Sequence, residues 1–181
     1  MNTTVTIHSK ASLDFLAFKE YLDIPELQLR HHFEVPGESM NWYFYREGKS
    51  TTLFIISYNL KDTYTISIDN LAAYDDLKFF PYLVDTLTKY LDGNMNINHI
   101  YQQMNEEWVE NTISEEIARL KGTLTVVPRY FFAQAFNDFY YVSEDILYPF
   151  GVNLHSSTPR IYGYIQYMLR NDLLPSFYDW D

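Results

Sequence analysis

Between Leu27 and Glu34 the chain alternates strictly, with Leu27, Leu29, His31 and Phe33 on one side and Gln28, Arg30, His32 and Glu34 on the other. Successive side chains of an extended strand point to opposite faces, so this pattern predicts a β-strand with one buried face. Pro36-Gly37 predicts a turn. Asn41 to Arg46, rich in Trp and Tyr, is the next predicted strand, and Glu47-Gly48-Lys49-Ser50 reads as a hairpin loop. Leu53, Phe54, Ile55 and Ile56 follow without alternation, so Thr51 to Tyr58 is expected to be an internal strand covered on both faces. After a turn at Asn59-Leu60-Lys61-Asp62, Thr63 to Ile68 alternates again, with Tyr64, Ile66 and Ile68 on the apolar side. Four consecutive strands with short loops predict an antiparallel meander over residues 27–68. A short strand is also expected at Thr3 to His8, before an imperfect helical stripe of Leu13, Leu16, Phe18 and Leu22.

The pattern then changes period. Asp75 and Asp76 favour a helix start, and Leu77, Phe80, Val84, Leu87 and Leu91 follow at helical spacing up to Asp92-Gly93. Pro81 inside that run is expected to kink the helix or delay its start. A second helix is predicted over His99 to Glu110. Thr112-x-x-Glu115 matches a capping box and predicts a separate helix ending at Gly122. Thr123 to Val127 reads as a strand, and Pro128 as the first residue of a helix from Arg129 to about Tyr141, with Phe132, Phe136 and Phe139 on its core face. Ser143, Glu144 and Asp145 open a short helix to about Tyr148. Thr158-Pro159 starts the last helix, whose apolar face is Ile161, Tyr164, Ile165, Met168 and Leu169 and which ends near Asn171. Strands followed by helices predict an α+β fold: a four- to five-stranded antiparallel meander packed against C-terminal helices. The expected organisation is one domain over residues 1–181, with 1–70 mainly sheet and 71–181 mainly helical.

Composition narrows the chemistry. The chain has no cysteine, which removes disulfides, thiolate nucleophiles and Cys-based metal sites. The 13 Lys+Arg against 24 Asp+Glu give a net charge of −11, and no basic cluster interrupts it. Phosphate backbones and anionic lipid surfaces are bound by clustered Lys and Arg, so neither nucleic acid nor membrane is an expected partner. The opening MNTTVTIHSK lacks the basic start and apolar stretch of a secretory signal, and the expectation is a cytoplasmic protein. Aromatic residues are abundant, with Tyr 17, Phe 13 and Trp 3.

No phosphate-binding glycine loop, GxSxG elbow or HExxH pair occurs. His31 and His32 point to opposite faces of a strand and cannot chelate one ion, so no metal and no cofactor are expected. Glu106, Glu107, Glu110, Glu115 and Glu116 crowd one stretch and read as a solvated helix face, although Glu106 and Glu110 are spaced to pair as catalytic acids. His155, Ser156, Ser157, Thr158 and Arg160 surround a predicted helix start, where free N–H groups favour an anion; the same residues serve equally as a capping loop. Nine aromatics lie between Tyr130 and Phe150, more than one helix face can hide, and the C-terminus repeats the theme. Tyr140, Tyr141, Tyr148, Tyr178 and Trp180 are therefore candidate partner-binding residues, because Tyr and Trp bury large area at low entropic cost.

Ser50, the Ile56-Ser57-Tyr58 strand, Tyr64 and the Asp75-Asp76 helix start resemble the pattern of an uncharacterised group of Gram-positive bacterial proteins. That resemblance implies no activity. The composition is similar to that of small acidic bacterial immunity proteins. The functional expectation is a non-enzymatic interaction protein that binds a basic protein, as an inhibitor or immunity-type partner does, or a second copy of itself. Alternatives are a small-molecule or carbohydrate module using the same aromatics, and a hydrolase or transferase with an anion site near Thr158.

Overall fold

The computed structural model describes residues 3–95, 104–127, 129–135 and 139–175. The predicted α+β architecture is present. Strands β1 (Thr3–His8), β2 (Leu27–Val35), β3 (Ser39–Arg46), β4 (Phe54–Tyr58), β5 (Thr63–Ile68) and the two-residue β6 (Asn94–Met95) form one sheet in the order β2-β3-β4-β5-β1-β6. Every pairing is antiparallel, and β2 to β5 make the expected meander. On one face Phe44, Phe54 and Ile68 lie side by side, as do Trp42, Ile56 and Ile66. These six, with Val5, Ile7 and Tyr64, are buried in one core with the helices. Burial pushes the Tyr64 hydroxyl up to about 12, and it donates to the Ala11 carbonyl.

Two strand expectations need correction. β4 is internal to the sheet, but only one of its faces is covered: Phe54 is fully buried, whereas Ile55 is only half-buried. The uninterrupted apolar run arises because Leu53 belongs to the preceding buried loop, where Thr52 bridges to Ala135, and not to the strand. In β2 the register shifts between Leu29 and His31. One extra residue in a strand flips everything beyond it, so His31 and Phe33 leave the face of Leu27 and lie beside Tyr43 and Asn41. His32 joins the Trp42 face instead and stacks on that ring at 5.0 Å.

Helix α1 (Phe15–Leu22) is capped by Asp14 and buries Phe15, Phe18 and Leu22. Helix α2 (Tyr74–Tyr90) runs through Pro81 and stops at Asp92-Gly93 as expected. Helix α3 (Glu106–Leu124) replaces the two helices expected there, and the part of the first expected helix over 99–103 lies outside the described residues. Its N-cap is Asn105, whose carbonyl side chain accepts the Trp108 N–H at 3.0 Å. Thr112, expected as a cap, sits inside the helix and donates to the Trp108 carbonyl at 2.8 Å. Val109, Ile113, Ile117, Leu120 and Leu124 form one unbroken buried stripe across it, and burial of that stripe outweighs a capping motif. The helix continues past Gly122, so no strand forms at 123–127.

The helix expected over 129–141 is a hairpin, β7 (Phe131–Gln134) with β8 (Phe139–Val142). Phe131, Ala133, Tyr140 and Val142 alternate inward, a period of two that suits aromatic and β-branched residues in strands. Phe132, expected in the core, is 38% exposed, and Phe136 lies outside the described residues. A short helix α4 (Glu144–Leu147) passes into a 3-10 turn at Tyr148–Phe150, closed by Gly151 at φ 70. Helix α5 (Thr158–Arg170) buries Ile161, Ile165, Met168 and Leu169, with Ser157 in place of Thr158 as N-cap.

Candidate functional site

The chain leading into α5 is organised by its own side chains. Asn153 Oδ1 accepts the His155 N–H at 2.8 Å, and Ser156 returns the favour by accepting the Asn153 N–H on its hydroxyl at 3.0 Å. Lys121 Nζ donates to the Ser156 carbonyl at 3.1 Å. Ser157 caps the helix with its backbone alone, and His155 is exposed. Of the five residues expected around an anion, Ser156 has its hydroxyl committed within the loop. Arg160 turns towards Gly151, where an added Cβ would stand 3.4 Å from its Nη2.

One turn further along α5 the surface is concave. A groove of about 560 Å³ is lined by Phe150, Pro159, Arg160, Gly163, Tyr164 and Tyr167. Its floor is Gly163: with no side chain there, and nothing within 4 Å of where a Cβ would be, the helix backbone itself is open to solvent. Phe150 and Tyr164 form one wall, with ring centroids 5.5 Å apart. Tyr167 is 54% exposed, and Tyr148, on the same 3-10 turn as Phe150, is 75% exposed. The sequence singled out Tyr148 and Arg160, placed Tyr164 on the apolar face of α5, where it is only half-buried, and missed Gly163 and Tyr167. The signal was present, since a glycine inside a helix with aromatics one and four residues on marks a gap with a ring beyond it.

The other expected partner-binding residues are placed differently. Tyr140 is 2% exposed and donates its hydroxyl to Asp172, so its side chain is committed within the chain. Tyr141 is half-buried, its N–H donating to the Pro175 carbonyl at 3.2 Å and its ring edge-on to Tyr130. Tyr178 and Trp180 lie outside the described residues.

A buried polar junction was not legible at all. Leu71, fully buried at φ 59, takes a backbone conformation that side chains rarely adopt. Its N–H donates to Glu116 Oε2 at 3.1 Å and its carbonyl accepts Gln166 Nε2 at 2.6 Å, while the Thr51 hydroxyl donates to Gln166 Oε1 at 2.7 Å. Beside it, Tyr162 donates to the Ala72 carbonyl at 2.5 Å and Arg119 to Asn70 Oδ1 at 2.8 Å. Burial raises the Glu116 carboxyl to about 7, against the Leu71 N–H, which lowers it, and with Asp69 adding to the rise. Burial likewise raises the Tyr162 hydroxyl. Nearby, Arg46 Nε donates to Asp76 Oδ1 at 2.7 Å in a buried ion pair beneath the Phe79 ring; burial raises Asp76, while Ser50 and Arg46 oppose the rise. Glu116 also borders a cleft of about 210 Å³ with Thr3, Trp108, Thr112, Glu115 and Arg119. A near-neutral carboxyl is a feature of acid–base sites, but here it anchors a strained turn, and its cleft contributes neither a histidine nor a serine.

Of the five acids read as a solvated face of α3, Glu106, Glu107, Glu110 and Glu115 are exposed, whereas Glu116 is buried on the stripe beside Ile113, Ile117 and Leu120. Among the described residues no group of three or more His, Asp or Glu is arranged to hold a metal ion. No helix among them is long and apolar enough to cross a membrane. No family model, no curated protein and no solved structure matches this chain.

Proposed function

We propose that this is a non-enzymatic interaction protein that seats an apolar segment of a basic partner protein in the α5 groove. The observation that carries the reading is the groove itself: open, floored by helix backbone at Gly163 and flanked by Phe150, Tyr164 and Tyr167. Closed concavities suit small ligands, whereas an open trough walled by exposed aromatics suits a chain laid along it. Tyr148 extends the aromatic surface beyond the groove. The net charge of −11 supplies the long-range term, drawing a basic partner in, and the rings supply the contact.

Gly163→Leu tests this reading. A Cβ at 163 meets nothing within 4 Å, so the added side chain has room to enter the trough, and a Gly-to-Leu change in a helix interior gains about 0.5–1 kcal/mol of helix propensity. Affinity capture from the native host at low salt is expected to recover a basic protein with the wild type, released at high salt, and to lose it with the variant. An identical set of captured proteins from both forms would reject the groove as the binding surface.

A further inference from the structure

β2 is the outermost strand of the sheet, and among the described residues no strand pairs with its outer edge. An unpaired edge is a template for another strand, and proteins commonly cover or blunt it. At the opposite side of the sheet the two-residue β6 pairs with the end of β1, at Ile7 and His8. Along β2, every residue from Leu29 to Glu34 is exposed, Phe33 at 45%. The bulge at Arg30 precedes a regular run, His31 to Val35, which pairs residue by residue with Tyr43 to Ser39. Pro36, with no N–H to give, ends that run.

We infer that a second copy of this chain is the occupant, through antiparallel β2–β2 pairing about a two-fold axis at Phe33. A two-fold that pairs the whole five-residue run with itself must pass through its middle residue, which is Phe33. Phe33 then faces Phe33 of the second copy, His32 faces Glu34, and His31 faces Val35. Like charges directly opposite destabilise a ladder, and opposite or aromatic pairs stabilise it. Sliding the centre to Glu34 sets two carboxylates against each other. Sliding it to His32 sets that residue against its own copy and carries the pairing into the bulge. The chosen register avoids both: it opposes no like charges and sets one aromatic ring against its own copy. Phe33 already stacks on Tyr43 at 5.5 Å, so the pairing lines up a row of four rings, Tyr43 and Phe33 from each copy. The two sheets become one continuous sheet. The contact is confined to one short strand and its flanks, at the small end of specific interfaces, so the dimer is weak and reversible.

The register supplies its own test, because residue 33 meets itself. Sedimentation velocity on the wild type is expected to show a concentration-dependent shift from a 21.6 kDa monomer to a species of twice that mass. Phe33→Glu and Phe33→Lys are each expected to weaken self-association by at least about tenfold, since each sets two like charges face to face. Mixed in equal amounts, the two variants are expected to form a one-to-one heterodimer. Phe33 is exposed, so both variants fold, which an unchanged circular dichroism spectrum and a cooperative melt confirm. A wild type that stays monomeric up to about 1 mM overturns the inference. So does a dimer that either single variant leaves intact, and so does a mixture that fails to associate; the last two place the contact elsewhere on the molecule. The groove on α5 plays no part in this pairing, and Gly163→Leu leaves it unchanged.

Discussion

Burial holds the Glu116 carboxyl near 7, from an ordinary value of 4.5, even though it accepts the Leu71 N–H. Between those two values the folded chain keeps a proton that the unfolded chain has released. Stability from this group is therefore fully present below about pH 4.5 and falls as the pH rises towards 7, by about 3 kcal/mol over the whole window. Glu116→Gln keeps an acceptor for Leu71 and removes the charge. Urea unfolding of the wild type is expected to show a loss of stability from pH 5 to pH 8 that the glutamine variant largely lacks. Equal slopes in both proteins would show that Glu116 does not titrate in this window. Asp76, raised in the same direction by burial, contributes equally to the two proteins and cancels in the comparison.

At the scale of elements, alternation located β5 and helical spacing α1, α2 and α5, because each buries one face and leaves the period visible; β4 showed as an apolar run, and β2 alternates in sequence although only Leu27 of it is buried. The hairpin at Phe131–Val142 was not legible: its aromatics fit either period, and the choice falls to what the rest of the core needs. α3 was split wrongly because Thr112-x-x-Glu115 looks the same inside a helix as at its start. The bulge in β2 left no mark on the alternation that it breaks in space. In the candidate site, Arg160 and Tyr148 were visible as chemistry, whereas the groove depends on Gly163, a residue whose contribution is an absence. Glycines elsewhere have unlike meanings. A Cβ on Gly93 would stand 2.8 Å from Ile7 Cγ2 and 3.1 Å from the His8 carbonyl, whereas one on Gly122, inside α3, meets nothing within 4 Å. Gly93→Ala is expected to cost about 1–3 kcal/mol through overpacking. Gly122→Ala is expected to gain about 0.5–1 kcal/mol of helix propensity. Thermal unfolding should move in opposite directions for the two, and a shared direction would contradict the packing described at β1.

For the whole molecule, the net charge of −11 is a self-repulsion. Adding sodium chloride from about 0.05 to 0.5 M shortens the screening length to a few ångströms, so the isolated chain is expected to melt at a higher temperature. A melting temperature that fell with salt would mean that attractive ion pairs outweigh the excess of acids. The strand order carries a separate consequence, for how the chain reaches its native state. The meander from Leu27 to Ile68 closes hairpin by hairpin, each between neighbours in sequence, but Thr3 pairs with Ile68 and β6 pairs with β1 alone. Distant pairings form late, because the entropy of closing the loop is lost before any contact rewards it. During synthesis β1 leaves the ribosome before the meander does, and its apolar Val5 and Ile7 wait, unpaired, until β5 has emerged and stands ready to receive them.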